Sequence, residues 1–144
     1  MNIEAMLERE EGRVYTAYPD PLTRNAPWTI GIGHTGPEVH DGLVWNDDQI
    51  NDAFQLDVAS ATQVCFDHFE PWFDTLNDAR QAVLIAMAFQ MGPTRLLKFV
   101  DTIAAIRDGH FAHAAECMRQ SIWAHQTPLR ALRMASQIET GEWQ

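Results

Sequence analysis

Two carboxyl side chains and one hydroxyl lie at regular intervals near the start of the chain. Glu11 precedes Asp20 by nine residues, and Asp20 precedes Thr29 by nine residues. A pair of carboxyl groups is what cleavage of a glycosidic bond needs, because a protonated one donates to the leaving oxygen while an ionised one stabilises positive charge or activates water. The chain has 20 acidic residues, so a solvated surface pair is the alternative interpretation of this spacing.

The residues around these three groups predict a helix followed by a β-hairpin. Apolar residues of segment 3–7 recur at helical spacing, and Gly12 ends this pattern where a left-handed cap would lie. Residues 14–34 contain two runs rich in β-branched and aromatic side chains, separated by turn-forming residues, which predicts a hairpin. This arrangement places the first carboxyl group at the helix end, the second in the loop and the hydroxyl at the start of the second strand.

The remainder of the chain has the periodicity of a helical bundle. Asn46 and Gln49 have the spacing of a capping box, and the apolar face that follows predicts a long helix. The other predicted helices begin at Asn77 and end at Gly92-Pro93, span about 100–108 and 111–122, and extend from Thr127-Pro128 to Gly141. We therefore expect one α+β domain over residues 1–144, with a small antiparallel sheet beside a helical lobe and a cleft between them.

The composition excludes several classes of protein. Of 144 residues, 46% are hydrophobic and 21% charged, which argues against a disordered or collagen-like chain. The formal charge of −10 repels phosphate, so we expect no nucleic-acid partner. The longest apolar run, residues 82–89, is far shorter than the ~20 residues of a membrane span. We expect synthesis in a cytoplasm, since no signal-peptide pattern is present, and we expect Cys65 and Cys117 to be reduced, buried thiols.

Several segments, spread in order over nearly the whole chain, carry a family resemblance. They are MNIEAMLEREEG (1–12), YPD (18–20), TIGIGH (29–34), FQLDV (54–58), AFQMG (88–92), WAHQTPLRALR (123–133) and TGEW (140–143). Together they resemble the phage-type lysozymes, the endolysin family that includes T-even phage lysozyme. The resemblance implies a lysozyme-like fold and a muramidase that hydrolyses the β-1,4 bond between N-acetylmuramic acid and N-acetylglucosamine in peptidoglycan.

The resemblance also implies roles for individual residues. Glu11 matches the catalytic acid of the family, Asp20 its second carboxylate, and Thr29 the hydroxyl that helps to place the attacking water. Arg130 matches an arginine that approaches the catalytic acid, and His34 and Asp57 resemble a buried pair that ties the sheet to the long helix. The positions that match sugar contacts are Phe89, Gln90, Thr35 and Thr102. The family needs no cofactor and no metal.

The expected stereochemistry follows from the predicted positions of the two carboxyl groups. Glu11 closes a helix and Asp20 lies beyond the first strand, in a loop stiffened by Pro19 and Pro21. We expect this arrangement to hold the carboxyls far enough apart for a water molecule, which makes the enzyme inverting. The family further implies a monomer without membrane insertion, released by a holin from the host cytoplasm to act on the wall.

Alternative functions stay open at this point. A lytic transglycosylase uses a single acid, and the presence of both Asp20 and Thr29 argues against it. A non-catalytic muropeptide-binding domain and an acidic protein-binding inhibitor are two further alternatives. His110, His113 and Cys117 are spaced three and four apart, as metal ligands on one helix face could be, although the resemblance implies none.

Overall fold

The computed structural model describes residues 1–144 and has the α+β architecture predicted from the sequence. The helices are α1 (Ile3–Glu11), α2 (Asp47–Phe69), α3 (Asp78–Leu96), α4 (Val100–Arg107), α5 (Phe111–Arg119), α6 (Ile122–Gln126) and α7 (Pro128–Thr140). The strands are β1 (Val14–Tyr18), β2 (Thr29–Gly31) and β3 (His34–Thr35), and a 3-10 turn spans Phe73–Thr75. Contacts divide the chain into a sheet unit, Glu4–Ser60, and a helical unit, Met1–Ile3 with Ala61–Gln144.

The first helix has the predicted bounds, whereas the second run of the predicted hairpin is divided into β2 and β3 by a turn at Ile32 and Gly33. Gly12 follows α1 with φ 73°, a left-handed conformation that a residue with a Cβ adopts only at a cost. The three strands form an antiparallel sheet in the order β1-β2-β3. Tyr18 on β1 and Thr35 on β3 both pair with Thr29, so β2 is the central strand. The sheet packs on a small buried cluster of Ala17, Ile30 and Val39, covered by Trp28, Leu43 and Trp45.

Side-chain caps start the two longest helices, as the sequence predicts. The Asn46 N–H donates to Gln49 Oε1 at 2.9 Å, and the Gln49 N–H donates to Asn46 Oδ1 at 3.0 Å. This reciprocal pair satisfies two backbone donors that the first turn of α2 leaves without helical partners. Asn77 caps α3 in the same manner through a 3.0 Å bond from the Arg80 N–H.

A break at Gly92 confirms the predicted end of the main part of α3. Gly92 has φ 77° and ψ 171°, which interrupts the helical backbone, and one further turn follows from Pro93 to Leu96. That turn is closed by the Leu97 N–H donating to the Pro93 carbonyl at 2.9 Å. The break redirects the chain toward α4.

Two predictions for the C-terminal helices are wrong. The segment 111–122 is not one helix, because α5 ends at Arg119 and Ser121 starts α6 by accepting a hydrogen bond from the Ala124 N–H. Thr127 does not cap α7 with its side chain, since its hydroxyl donates back to the Trp123 carbonyl at 3.2 Å. Pro128 in the first turn and left-handed Gly141 at the end of α7 agree with the prediction.

The core of the helical unit is centred on α7. This helix packs against α3, α5 and α6, and its buried residues include Met134 and Ile138. Gln137 is buried as well, and its amide donates to the Ala79 carbonyl at 2.7 Å. Arg80 donates to the Ile138 carbonyl near the end of α7 and lies 3.6 Å from the centre of the Phe111 ring. The Arg80 bond satisfies a carbonyl that the end of α7 leaves without a helical partner.

The two cysteines have different environments. Both are free thiols, but only Cys65 is buried, and burial raises its pKa to about 12. Cys117 is partly exposed on α5, so the expectation that both thiols are buried is wrong for this one. None of the helices has both the length and the apolar character needed to cross a lipid bilayer.

Candidate active site

Glu11 is the last residue of α1, and its carboxyl group lies directly against the backbone at Gly33. A Cβ placed on Gly33 would lie 2.9 Å from Glu11 Oε2 and 3.0 Å from Glu11 Cδ. Gly33 also has φ 65°, a conformation that favours glycine. The alternation of Gly31 and Gly33 in the segment 29–34 predicts a close approach of backbone, and the structure shows one at Gly33, which lies in the turn between β2 and β3. Gly33 therefore provides the space that the Glu11 carboxyl group occupies.

Thr29 lies in the middle of a row of polar side chains across the sheet. Its directly paired neighbours are Tyr18 on β1 and Thr35 on β3, and directly paired residues project from the same face. The Tyr18 and Thr29 side chains share a hydrogen bond. Because a β-branched residue on a strand has few rotamers, this bond and the strand together hold the Thr29 hydroxyl in one orientation.

Tyr18 connects this row to the first carboxyl group. Burial raises the pKa of the Tyr18 hydroxyl, and the negative charge of Glu11 raises it further, while the hydrogen bond with Thr29 acts in the opposite direction. Tyr18 thus stays protonated over the range in which a glycosidase works and can donate a hydrogen bond. Tyr18 belongs to the YPD motif (18–20), but the sequence predicts no role for its hydroxyl. The cross-strand register with Thr29 is the signal that could have identified it.

Asp20 follows β1 in a loop that its own hydrogen bonds close. Asp20 Oδ1 accepts from the Leu22 N–H at 2.8 Å, the arrangement of an Asx turn. The Asp20 N–H donates to the Asn25 carbonyl at 2.9 Å, and the Arg24 N–H donates to the Asp20 carbonyl at 2.7 Å. These bonds fix the base of the long loop between β1 and β2. The Asp20 carboxylate is half-buried, so Oδ2 can still accept a hydrogen bond from water.

His34 lies between two carboxylates. Its Nδ1 is 2.6 Å from Asp57 Oδ2, and its Nε2 is 2.6 Å from Glu38 Oε1. Carboxylates only accept hydrogen bonds, so both ring nitrogens act as donors when both bonds are formed, and the imidazole is then a cation. The sequence predicts the partner on α2 but not Glu38. The i, i+4 spacing of His34 and Glu38 was the available signal.

The two carboxylates change the titration of His34. Partial burial lowers the pKa of the imidazole, but the hydrogen bonds to Glu38 and Asp57 together outweigh burial, and the net pKa is raised from 6.5. The hydrogen bond from His34 likewise lowers the pKa of Glu38 from 4.5. Trp45 lies beside the imidazole, with ring centres 5.3 Å apart. This group therefore joins β3, the following loop and α2 within the sheet unit.

The remaining predicted residues lie in the helical unit. Phe89 and Gln90 are partly exposed on α3, just before the Gly92 break. The Trp123 indole N–H donates to Gln90 Oε1 at 3.0 Å. An indole nitrogen is only a donor, so this bond fixes the orientation of the amide and leaves the Gln90 NH₂ group as a donor. The Trp123 bond is a feature that sequence reasoning did not anticipate.

Thr102 and Arg130 are both more buried than their residue types usually are. Thr102 lies in the first turn of α4 and is 3% exposed, and Arg130 lies in the first turn of α7 and is 8% exposed.

The residues predicted to form the site are distributed over the two units of the chain. The sheet unit holds Glu11, Asp20, Thr29, His34, Thr35 and Asp57, and the helical unit holds Phe89, Gln90, Thr102 and Arg130.

The three residues spaced like metal ligands, His110, His113 and Cys117, do not all lie in one helix. His110 is the residue before the helix, whereas His113 and Cys117 lie within it, with Nε2 and Sγ 3.7 Å apart. This distance corresponds to a weak hydrogen bond involving sulfur. No three histidine, cysteine, aspartate or glutamate side chains of the structure are grouped so that they could hold a metal ion.

Comparison with known proteins identifies the family. The phage lysozyme family profile matches residues 8–139. "Probable T4-type lysozyme 1" of Dictyostelium discoideum is 27% identical over 97% of this chain and 95% of its own length. The "Pre-baseplate central spike protein Gp5" of Enterobacteria phage T4 is 30% identical over 98% of this chain, which corresponds to 28% of that protein. The chain therefore belongs to the phage lysozyme family and is a lysozyme-type hydrolase of peptidoglycan.

Proposed function

We propose that this protein is an endolysin: a muramidase that hydrolyses the β-1,4 bond between N-acetylmuramic acid and N-acetylglucosamine in an inverting reaction. Glu11 donates its proton to the glycosidic oxygen. Asp20 accepts a proton from a water molecule that Thr29 helps to orient, and this water attacks the opposite face of the sugar. The observation that carries the proposal is the placement of the Glu11 carboxyl group against Gly33, in the same unit as the Tyr18–Thr29 hydrogen bond.

The local geometry supports a defined role for each group. A glycine at position 33 and the helix end at Gly12 limit the positions available to the Glu11 carboxyl group. The closed loop around Asp20 keeps a carboxylate just after the end of β1. Tyr18, the last residue of β1, pairs with Thr29 on β2. Because these groups are held in position before substrate binds, less entropy is lost in reaching the transition state. Phe89 and Gln90 are proposed to contact the sugar chain from the helical unit.

The biological setting is part of the same proposal. The enzyme acts as a monomer on the wall of a bacterial host, after a holin allows it to leave the host cytoplasm. A member of this family without a phage role would need neither the holin nor the host. Expression of the gene inside a bacterium, with and without a co-expressed holin, tests this point. Lysis that occurs equally fast in both cases contradicts the dependence on a holin.

Product analysis tests the reaction. Purified peptidoglycan is incubated with the enzyme and the soluble products are examined by mass spectrometry. Hydrolysis yields muramic acid at the reducing end, whereas a transglycosylase yields 1,6-anhydro ends and a binding domain yields no cleavage. NMR at early times distinguishes the two stereochemical courses, since inversion releases the α-anomer first and retention the β-anomer.

A further inference from the structure

Glu11, the proposed acid, is the last residue of a short helix whose end is prone to fray. The helix α1 has nine residues, and helices of this length are marginal without tertiary contacts. Its last turn carries three carboxyl side chains, those of Glu8, Glu10 and Glu11. Negative charges are unfavourable there because they lie at the negative end of the helix dipole. When the end of α1 frays, the Glu11 carboxyl group moves with it.

The residue after Glu11 makes no side-chain contact that could hold this end. A Cβ placed on Gly12 would have no neighbour within 4 Å, and glycine leaves the backbone free to adopt other conformations. The Gly12 N–H donates to the Glu8 carbonyl at 2.8 Å, which closes the last turn by a backbone bond alone. Any further hold on the end of α1 comes from the side chains of neighbouring residues.

The Arg13 side chain joins the end of α1 to the start of α2. Its Nε donates to Glu8 Oε1 at 2.7 Å, within the last turn of α1. Its Nη1 donates to Asp47 Oδ1 at 2.9 Å, and its Nη2 donates to Asn51 Oδ1 at 2.9 Å. The Tyr15 hydroxyl also donates to Asp47 Oδ1, at 2.8 Å. All five residues belong to the sheet unit, so the guanidinium connects three chain segments within it.

The Arg13 bonds and the space at Gly33 both bear on the position of Glu11. Arg13 follows Glu11 by two residues and holds the backbone that carries it. Gly33 leaves the space that the Glu11 carboxyl group occupies, since a Cβ there would lie 2.9 Å from Oε2. Movement of the helix end would withdraw the carboxyl group from this space. A misplacement of ~1 Å in a reacting group can cost about 100-fold in rate.

We propose that Arg13 is a positioning residue for the reaction, which holds the end of α1 against the start of α2 and thereby keeps the Glu11 carboxyl group beside Gly33. This inference rests on the proposed function, in which Glu11 donates the proton. Arg13 acts through the backbone of residues 11–13 and has no role in proton transfer. Its loss therefore lowers kcat and leaves KM nearly unchanged.

Steady-state kinetics on soluble peptidoglycan fragments test this role. Arg13→Gln should lower kcat by about tenfold or more, with KM within about twofold of the wild type. Arg13→Lys keeps the charge but not the planar fork of donors, so its kcat should stay at least about fivefold below the wild type. The matched control is Arg119→Gln, which removes the same charge and a 2.8 Å bond to Glu139 in the helical unit. Its kcat should stay within about twofold of the wild type.

Two further variants separate positioning from general stability. Asn51→Ala removes one of the three Arg13 bonds, and alanine has the higher helix propensity. Its free energy of unfolding should stay near that of the wild type while kcat falls about threefold. In Gly33→Ala the carboxyl group is already displaced, so adding Arg13→Gln should lower kcat by less than about twofold more. A merely structural role of Arg13 would make the two losses multiply.

The outcomes distinguish this role from the proposed function. An Arg13→Gln variant as active as Arg119→Gln, full activity in Arg13→Lys, a loss confined to KM, or multiplied losses with Gly33→Ala overturns the positioning role. If Glu11→Gln is inactive while Arg13→Gln is fully active, only the role of Arg13 is wrong. A folded Glu11→Gln variant with the wild-type rate overturns the assignment of the acid, and the role of Arg13 falls with it.

Discussion

Glu11 is the residue on which the proposed chemistry depends most. It ends α1, and its carboxyl group lies within contact of the Gly33 backbone. No other side chain in the sheet unit is assigned the donation of a proton to the leaving oxygen. Its contribution can therefore be measured by removing the acid while keeping the shape of the side chain.

Glu11→Gln should lower the rate of peptidoglycan hydrolysis by about 100-fold or more, because general acid catalysis typically contributes ~10²–10⁴-fold. The amide has the same shape but cannot donate the acid proton. Turbidity assays on purified walls measure the rate, and thermal unfolding checks that the fold is retained. A folded variant that keeps more than a few per cent of the wild-type rate contradicts the role of Glu11.

Gly33→Ala tests whether the glycine provides the space for Glu11. The new methyl group would lie 2.9 Å from Glu11 Oε2, so the carboxyl group must move. A displacement of this size in a catalytic group can lower kcat by about 10- to 100-fold. Steady-state kinetics on soluble peptidoglycan fragments measure the loss.

Gly31→Ala is the matched control for this change. Gly31 has φ 68°, close to the 65° of Gly33, but a methyl group there makes ordinary contacts of 3.4–3.6 Å with Ile50 and Trp45. Both variants should lose about 1–2 kcal/mol of stability from the left-handed backbone. Only Gly33→Ala should lose activity beyond that, and equal kcat values in the two variants would argue against the steric role.

At the scale of secondary-structure elements, two sets of hydrogen bonds stabilise the part of α2 that lies in the sheet unit. One is the capping box that starts the helix at Asn46 and Gln49. The other is His34, which bonds Asp57 on α2 and Glu38 in the loop after β3. The capping box acts within the first turn of α2, whereas the His34 bonds act between elements. Only the His34 bonds are expected to make stability depend on pH near neutrality.

Asn46→Ala should lower the free energy of unfolding by about 1 kcal/mol, because the Gln49 N–H loses its acceptor at the start of α2. Gln55→Ala, an exposed substitution in the interior of the same helix, is the control and should change stability by less than about 0.5 kcal/mol. Urea unfolding followed by circular dichroism measures both. A cap variant as stable as the control would show that the helix start is held by other contacts.

The His34 group makes stability depend on pH in a defined window. The raised pKa of His34 contributes stability that is fully present below pH 6.5 and is lost as pH rises through the folded pKa. The lowered pKa of Glu38 contributes stability that is present above pH 4.5 and is lost as pH falls through its folded value. The interaction should therefore stabilise the fold most between these two values.

Glu38→Gln should reduce the unfolding free energy most between about pH 4.5 and 6.5, with a smaller difference from wild type on either side. Asp52→Asn is the control, since Asp52 lies at the same surface cavity as His34 but makes no hydrogen bond to it. Chemical unfolding at a series of pH values gives the comparison. A difference that does not vary with pH would refute the coupling between His34 and Glu38.

At the scale of the whole molecule, net charge opposes the approach to the substrate. The chain has 20 acidic and 10 basic residues, and peptidoglycan with its stem peptides is itself anionic. The repulsion acts at long range and is screened within ~8 Å at physiological ionic strength, against ~30 Å at 0.01 M.

Raising NaCl from 10 to 150 mM should therefore lower KM for intact walls and leave kcat nearly unchanged. The reason is that screening removes a repulsion that acts before binding and does not alter the reacting groups. A neutral oligosaccharide of N-acetylglucosamine is the control substrate and should show little change in KM. A KM for walls that rises with salt would contradict this account.

The amino-acid sequence by itself determined most of the helices and several of their ends. Helix caps and breaks depend on residues close together in the chain, so Gly12, Asn46, Asn77, Gly92 and Gly141 could be interpreted from local spacing. The resemblance that identified the family was carried by short motifs in order, and it selected Glu11, Asp20 and Thr29 from many acidic and hydroxyl residues.

Only the tertiary structure decided which of these residues contact one another. The space beside Gly33 for Glu11, the bond between Tyr18 and Thr29 and the second carboxylate on His34 depend on strand register and on the packing of α1 and α2. Composition and periodicity do not encode distances between residues far apart in the chain.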